Sequence, residues 1–325
     1  TGNNRLNVKA ALFSPLDRLD TLSIGLLASQ GETSTEASTY GFIFYETPLW
    51  NLFNQLSFYV GNNLFDIGGD FSTLELEGSS NVGVIEYHYQ WGGKGWHQRL
   101  GLAAQYIKTD YQSVLNAVEI EPDEEEVAAR VSWQLGAQSS TGLSLLSIQM
   151  AYVGGQYKGN QFSDNREIGK FELAISAQTL FAAQKRYANH WRFSISGHYS
   201  EDELPDAEKR GLSGISGVRA IEAGYFSGDR LVVAAIEWRF PGIFGKTEGW
   251  LLQPLVFIDG AYGEQVSDET VSDRAHATGY GGGFELLVSK QFYARILAME
   301  LVDAYSKSGS DPNEMSVLAQ AGVSF

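Results

Sequence analysis

The chain closes on Met315-Ser-Val-Leu-Ala-Gln-Ala-Gly-Val-Ser-Phe325. Val317, Ala319, Ala321, Val323 and Phe325 fall on one face of an extended segment, and Ser316, Gln320, Gly322 and Ser324 fall on the other. A period of two is that of a β-strand, whose successive side chains point to opposite faces. This strand has one apolar face and one wetter face. The same alternation recurs upstream. Val127, Ala129, Val131, Trp133 and Leu135 alternate with Ala128, Arg130, Ser132 and Gln134. Ile85, Tyr87, Tyr89 and Trp91 alternate with Glu86, His88 and Gln90, and Trp191, Phe193, Ile195 and Tyr199 with Arg192, Ser194, Ser196 and His198. Similar runs lie near 22–28, 40–46, 56–61, 100–106, 171–178, 232–240 and 250–262.

Length separates the two architectures that alternate in this way. Sandwich strands usually run ~5 to 6 residues, whereas a tilted strand crossing a bilayer needs ~9 to 11. The runs here are of the second kind. No window approaches the ~18 to 20 consecutive apolar residues of a transmembrane helix, although 43% of the chain is hydrophobic. Without such a helix, only a closed barrel crosses a bilayer with every backbone group paired. The expected fold is therefore an all-β transmembrane antiparallel barrel, one domain over 1–325, with its apolar face toward lipid and its polar face toward a lumen.

Composition agrees. Aromatics make up 13%, as interfacial girdles require, and 36 Gly against 7 Pro suit strands and turns. There are no cysteines, hence no disulfides and no thiolate metal site. A net charge of -16 lacks the basic footprint of a nucleic-acid binder. No signal peptide is visible at Thr1, as expected of a processed or trimmed chain.

Between the runs, short connections (14–19, 48–53, 92–95, 136–142, 182–187, 241–249, 288–290) alternate with long polar ones (30–37, 63–77, 108–125, 158–167, 200–229, 263–275, 304–314). Short turns inside and long loops outside are the outer-membrane pattern. The count is about fifteen strands starting with 5–13, whereas single-chain bacterial barrels are even. A sixteen-strand plan, with a first strand upstream of Thr1, is expected; the fallback is fourteen, with 5–13 as a periplasmic segment. The stretch 289–303 alternates poorly, because Lys290, Arg295 and Glu300 do not share a face, and it is expected to be bulged.

The longest connection, 200–229, holds Gly211-Leu-Ser-Gly-Ile-Ser-Gly-Val-Arg-Ala-Ile221 and Gly228-Asp-Arg230. It leads into Leu231-Val-Val-Ala-Ala-Ile-Glu-Trp-Arg-Phe-Pro241 and then Gln253-Pro-Leu-Val-Phe-Ile-Asp-Gly-Ala261. This order resembles the barrel domain of the BamA/TamA and two-partner-secretion transporter superfamily. There a loop with a Val-Arg-Gly-aromatic motif folds into the lumen, followed by a Glu-x-Arg strand and a Phe-x-Asp strand. Val218 and Arg219 match the loop motif, while Ala220 and Ile221 replace its Gly and aromatic. Glu237, Arg239, Phe257 and Asp259 match the strands, and Phe13-Ser-Pro-Leu-Asp-Arg-Leu-Asp20 resembles the family's first inner turn. Gly322, Val323 and the terminal Phe325 resemble the C-terminal assembly signal of outer-membrane barrels. The likeness covers the whole barrel, and no POTRA module precedes it in this sequence.

Alternation alone places Glu237 and Arg239 on one face, opposite Trp238 and Phe240, and turns Asp259 away from Ile258. A guanidinium from the loop could reach these carboxylates in charge-assisted bonds. Arg219 is the expected loop anchor, with Asp259 or Glu237 as its partner.

Other groups point elsewhere. Glu86, His88, Arg99, Arg130, Lys170, Glu172, His190, Arg192 and His198 read as the polar lining of a wet lumen, or as a conduction or ligand path, and their mixed signs suggest no ion selectivity. Ser213 and Ser216 lie in a Gly-rich loop without a Gly-x-Ser-x-Gly elbow, and the five histidines show no spacing that supplies a base, so no catalytic residue is expected. The acidic runs 119–126 and 201–208 read as solvated loops, with cation bridging to lipopolysaccharide as the other possibility. Trp91-Gly-Gly-Lys-Gly-Trp96 reads as an interfacial anchor.

What the resemblance implies is protein or lipid transport, or insertion, at the outer membrane of a Gram-negative bacterium; the alternative is a passive structural or pore protein with a plugged lumen. Outer-membrane lipids surround it and the barrel-assembly machinery inserts it. A second copy could pair through the seam between first and last strands, where Gly322, Ala319 and Ala321 pack weakly. No cofactor, metal or nucleic-acid partner is expected, and the client stays unread.

Overall fold

The computed structural model describes residues 4–30, 37–67, 76–113, 124–139, 144–159, 162–181, 189–205, 208–214, 217–221, 225–242, 250–267, 270–288, 292–306 and 315–323. They form β1 (Asn4–Phe13), β2 (Thr21–Gln30), β3 (Ala37–Pro48), β4 (Asn54–Ile67), β5 (Leu76–Gly93), β6 (Trp96–Ser113), β7 (Glu124–Gln138), β8 (Ser144–Gly159), β9 (Phe162–Phe181), β10 (Asn189–Ser200), β11 (Arg210–Gly211), β12 (Ser227–Gly228), β13 (Arg230–Arg239), β14 (Trp250–Ser267), β15 (Thr270–Val288), β16 (Phe292–Ser306) and β17 (Met315–Val323). Fifteen of these make one sheet in chain order, and β11 pairs with β12 apart from it. Among the described residues there is no helix that could cross a membrane.

Fifteen strands is the number read from the alternation, and the sixteenth strand of the expected plan is not among the described residues. The fourteen-strand fallback is corrected: 5–13 is β1, paired with β2 from Asn4↔Gln30 to Phe13↔Thr21. Two long connections also need correction. Residues 158–167 and 263–275 are mostly strand, with β8 and β9 flanking 160–161 and β14 and β15 flanking 268–269. Their outer ends have polar side chains on both faces, so alternation fades while the backbone ladder continues. In the expected bulged segment the register slips by one residue at Val302, between Thr278↔Asp303 and Gly279↔Leu301.

The chain's contacts group into two compact units. In the first (Thr1–Gly92, Gln98–Trp133, Ala151–Gly169) one face exposes a cross-strand row, Ile24 opposite Ile43 and Ile43 opposite Val60. The other face buries Ser23, Ser57 and His88. His88 lies between Gln55 and Arg99, with Arg99 Nη2 donating to Nδ1 at 2.7 Å, so the imidazole is neutral there. In the second unit (Gly93–His97, Gln134–Met150, Lys170–Phe325) Trp191, Trp238 and Phe240 stack near the short-turn ends of β10 and β13. That is where an interfacial aromatic girdle belongs.

The core of the second unit is built on segment 200–229. Leu212, Val218, Ala220, Ile221 and Phe226 are buried against Leu231 and Val233 of β13, Leu255 and Phe257 of β14, Ala275 and Ala277 of β15, and Leu297 and Met299 of β16. Most of a loop's apolar side chains thus cover one face of four strands. That burial, at roughly 25 cal/mol per Å² of apolar surface, opposes release of the loop into water.

Candidate functional site: the Arg219 clasp

The tip of the segment is a tight turn closed by its own backbone. Val218 N donates to Leu212 O at 2.9 Å, and Gly214 N to Val218 O and Ile221 O at 3.1 Å each. Two glycines make it possible. Gly214 has φ +88°, and a Cβ on Gly217 would lie 2.1 Å from Leu212 O.

This turn presents Arg219 to the carboxylates of Glu237 on β13 and Asp259 on β14, on the same face as Leu255 and Phe257. Its Nε donates to Asp259 Oδ2 at 2.8 Å, Nη2 to Asp259 Oδ1 at 2.7 Å and Nη1 to Glu237 Oε2 at 2.9 Å. The backbone N of Arg219 adds a 3.3 Å bond to Asp259 Oδ2. The guanidinium carbon sits 3.5 Å from the Phe257 ring centroid, an additional cation–π contact. The Asp259 residue is 1% exposed. Burial opposes the charge on Arg219, but the bonds to Asp259 and Glu237 outweigh it and push its pKa above the ordinary value.

Glu237 is shared among three cations. Besides Arg219, it accepts from Arg239 Nε at 2.7 Å and Arg295 Nη2 at 3.0 Å. Arg239 Nη1 then reaches Glu285 Oε1 at 2.9 Å. The β13–β14 register sets Glu237 opposite Phe257 and Arg239 opposite Leu255, so these side chains share one face. Arg295 and Glu285 are cross-strand partners, and no motif in the sequence marks either for the site.

Val218, Ala220 and Ile221 fill the apolar surroundings of the tip. Ala220 lies over β15 where no side chain intervenes: a Cβ on Gly279 would be 2.7 Å from Ala220 Cβ and 3.4 Å from Val218 Cγ1. Ser316 Oγ on the last strand donates to Ala220 O at 3.3 Å. Gly322 and Val323 continue that strand opposite Tyr293 and Phe292, and Phe325 lies outside the described residues.

Farther back, a second set of contacts holds the start of the segment. Buried Lys170 of β9 pairs with Glu208 and, at 3.2 Å, with Glu172, which also binds Arg210 Nη2 at 3.1 Å. His198 Nε2 meets Gly228 O at 2.9 Å. Asp229 accepts from Leu204 N at 2.6 Å and Val266 N at 2.7 Å. Burial nevertheless raises its carboxyl above the usual range. Glu208 is thus a half-buried ion-pair partner, which corrects the solvated reading of 201–208 at that residue, whereas Glu201 is exposed. Residues 119–123 of the other acidic run lie outside the described residues, and Glu126 is buried in β7 beside Gln105 Nε2 at 3.3 Å. Ser213 Oγ accepts from Tyr225 N at 3.3 Å, and Ser216 lies outside the described residues. No group of three potential metal ligands occurs among the described residues.

The model of the haemolysin secretion/activation protein family ShlB/FhaC/HecB matches residues 1–286. The chain belongs to this family. Among solved structures it is similar to CdiB from Escherichia coli (TM-score 0.82, 14% identity, covering 100% of this chain and 60% of that one). It is also similar to CdiB from Acinetobacter baumannii (0.78, 15%, covering 98% and 56%). BamA from Haemophilus ducreyi lacking POTRA domains 1–3 follows at 0.68 and 11%, covering 99% and 68%. These likenesses carry the fold, an all-β antiparallel barrel of the CdiB and BamA type. The chain spans about 60% of the length of the Escherichia coli CdiB chain. No curated protein sequence matches it.

Proposed function

We propose that this chain is the barrel of an outer-membrane transporter that moves a client polypeptide across the outer membrane of a Gram-negative bacterium, with segment 200–229 as an internal plug. The observation that carries this is the Arg219 clasp: a loop with a large apolar surface, held on the inner face of β13 and β14 by one guanidinium bound to two carboxylates. Membership of a secretion and activation family supports a protein as the client. In this reading the plug shuts the lumen at rest and yields to the client. Arg219 acts as the latch, Asp259 and Glu237 as its seat, and Arg239, Arg295 and Glu285 hold the seat in place. The chemistry is conformational, and none of these residues is assigned a catalytic role.

The surrounding partners are outer-membrane lipids, the assembly machinery that inserts the barrel, and a client of unread sequence; a second copy could pair through the first and last strands. The test is to compare secreted and periplasmic proteins in cells with and without this protein. Loss of a polypeptide from the medium, with its retention in the periplasm, supports transport. Loss of outer-membrane proteins or lipid instead supports the insertion reading, and no change in any of them supports a passive plugged pore.

A further inference from the structure

We propose that the turns 14–20 and 49–53 are immersed in the periplasmic leaflet of the membrane and form an apolar wedge beside β1–β4. The inference rests on the outer-membrane placement proposed above. The two turns are neighbours, because β2 pairs with β3 from Thr21↔Glu46 onward. They present Leu16, Leu19, Trp50, Leu52 and Phe53 outward, with Leu19 70% and Trp50 80% exposed. So much contiguous apolar surface on a connection marks contact with something other than water.

Three observations favour lipid as the occupant. First, the turn 14–20 satisfies its own donors. Ser14 N binds Asp20 O at 2.6 Å, Asp17 N binds Ser14 O at 3.1 Å, and Leu19 N binds Ser14 Oγ at 3.1 Å. Leu16 N and Arg18 N both reach the Asp20 carboxylate at 3.3 Å, and Pro15 has no N–H. A turn in water needs no such closure, whereas backbone in lipid must be paired internally. In the second turn, Asn51 Oδ1 likewise accepts from Phe53 N at 2.9 Å and Asn54 N at 3.2 Å.

Second, the closure is bought with strain. Ser14, Asp17 and Leu19 have φ of 54°, 57° and 59° without being glycine, a conformation that persists only where the surroundings impose it. The result is that Leu16 and Leu19 point outward. Third, the turn 49–53 is apolar and uncharged, whereas the short connections near β5–β6, β9–β10, β13–β14 and β15–β16 carry Lys94, Lys185 and Arg186, Lys246, and Lys290, and the uncharged 136–142 has only small and polar residues. The turn 14–20 keeps its charges at Asp17, Arg18 and Asp20, and the Asp20 carboxylate is spent on the turn's own donors. The apolar surface is also continuous with the exposed Leu12 and Ile24 of the lipid-facing side. Arg18 can extend its stem along lipid and keep its head at the phosphates.

The chain lacks cysteine, so single reporters can be placed cleanly. Leu19→Cys, Trp50→Cys, Ile43→Cys (mid-strand) and Lys94→Cys would each carry an environment-sensitive fluorophore, in nanodiscs of phosphatidylethanolamine and phosphatidylglycerol. Expected is loss of iodide quenching and gain of quenching by acyl-chain nitroxide lipids at positions 19, 50 and 43, with Lys94 as the iodide-accessible reference. Iodide access at 19 and 50 with Ile43 shielded would overturn the wedge and leave the membrane reading intact; those turns would then face water or a protein. Iodide access at all four would overturn both.

Discussion

The guanidinium of Arg219 and the carboxylate of Asp259 meet edge to edge, Nε to Oδ2 at 2.8 Å and Nη2 to Oδ1 at 2.7 Å, with Asp259 buried and Arg219 largely so. This geometry uses the fork of arginine, which lysine cannot reproduce. Arg219→Ala strips two buried carboxylates of a partner, a change that costs about 3 to 5 kcal/mol. The melting temperature of the folded barrel should fall, and amide exchange should rise across 212–226. Arg219→Lys should recover only part of the loss. Unchanged exchange in Arg219→Ala would show that apolar packing alone holds the tip.

The bed beneath the tip offers an independent handle. A side chain on Gly279 would press on Ala220 Cβ at 2.7 Å, with Glu300 O at 3.3 Å behind it. Gly279→Val should therefore lift the tip while every member of the ion network is kept. Increased exchange across 217–221, with the rest of the sheet still protected, is the expected result.

Glu237 is the acceptor common to Arg219, Arg239 and Arg295. Glu237→Gln removes one negative charge and leaves three guanidinium groups against Asp259 and Glu285. If the segment occupies the conduction path, open events of this variant should shift toward anion selectivity, measured as a change in reversal potential under a salt gradient.

Asp20 links the first turn to pH. Burial raises its pKa, but the Tyr45 hydroxyl at 2.9 Å and the backbone bonds from Arg18 and Leu16 outweigh it and hold the carboxyl below its ordinary value. A lowered folded pKa contributes stability that is present above the unfolded value, about 3.9, and is lost as pH falls through the lower folded value. The wild-type turn should loosen only on that acid limb, and Asp20→Asn should be looser at neutral pH with the acid dependence reduced. Amide exchange across 14–20, corrected for the intrinsic rate at each pH, reports both.

The readable parts of this protein are those in which neighbouring residues carry the signal. Alternation identified the strands because lipid and a wet interior impose opposite demands at successive positions, as in Ile85–Trp91 and Val127–Leu135. It failed at the outer ends of β8, β9, β14 and β15, where polar residues fall on both faces and the backbone ladder persists without a side-chain pattern. Arg219, Glu237, Arg239 and Asp259 stood out because they fall in ordered motifs. Glu285 and Arg295 did not, since their partnership exists only through the register of β15 on β16. Gly279 was silent for a different reason: its role is the absence of a side chain where Ala220 arrives. Lys170 looked like wall lining until segment 200–229 brought Glu208 to it.

The central claim, that segment 200–229 is a plug latched by Arg219, is tested most directly by ion conductance of the wild-type and Arg219→Ala proteins in planar bilayers. The account predicts a mostly closed wild-type barrel and frequent, larger openings in Arg219→Ala. Equal conductance of the two proteins, whether both silent or both open, would contradict it.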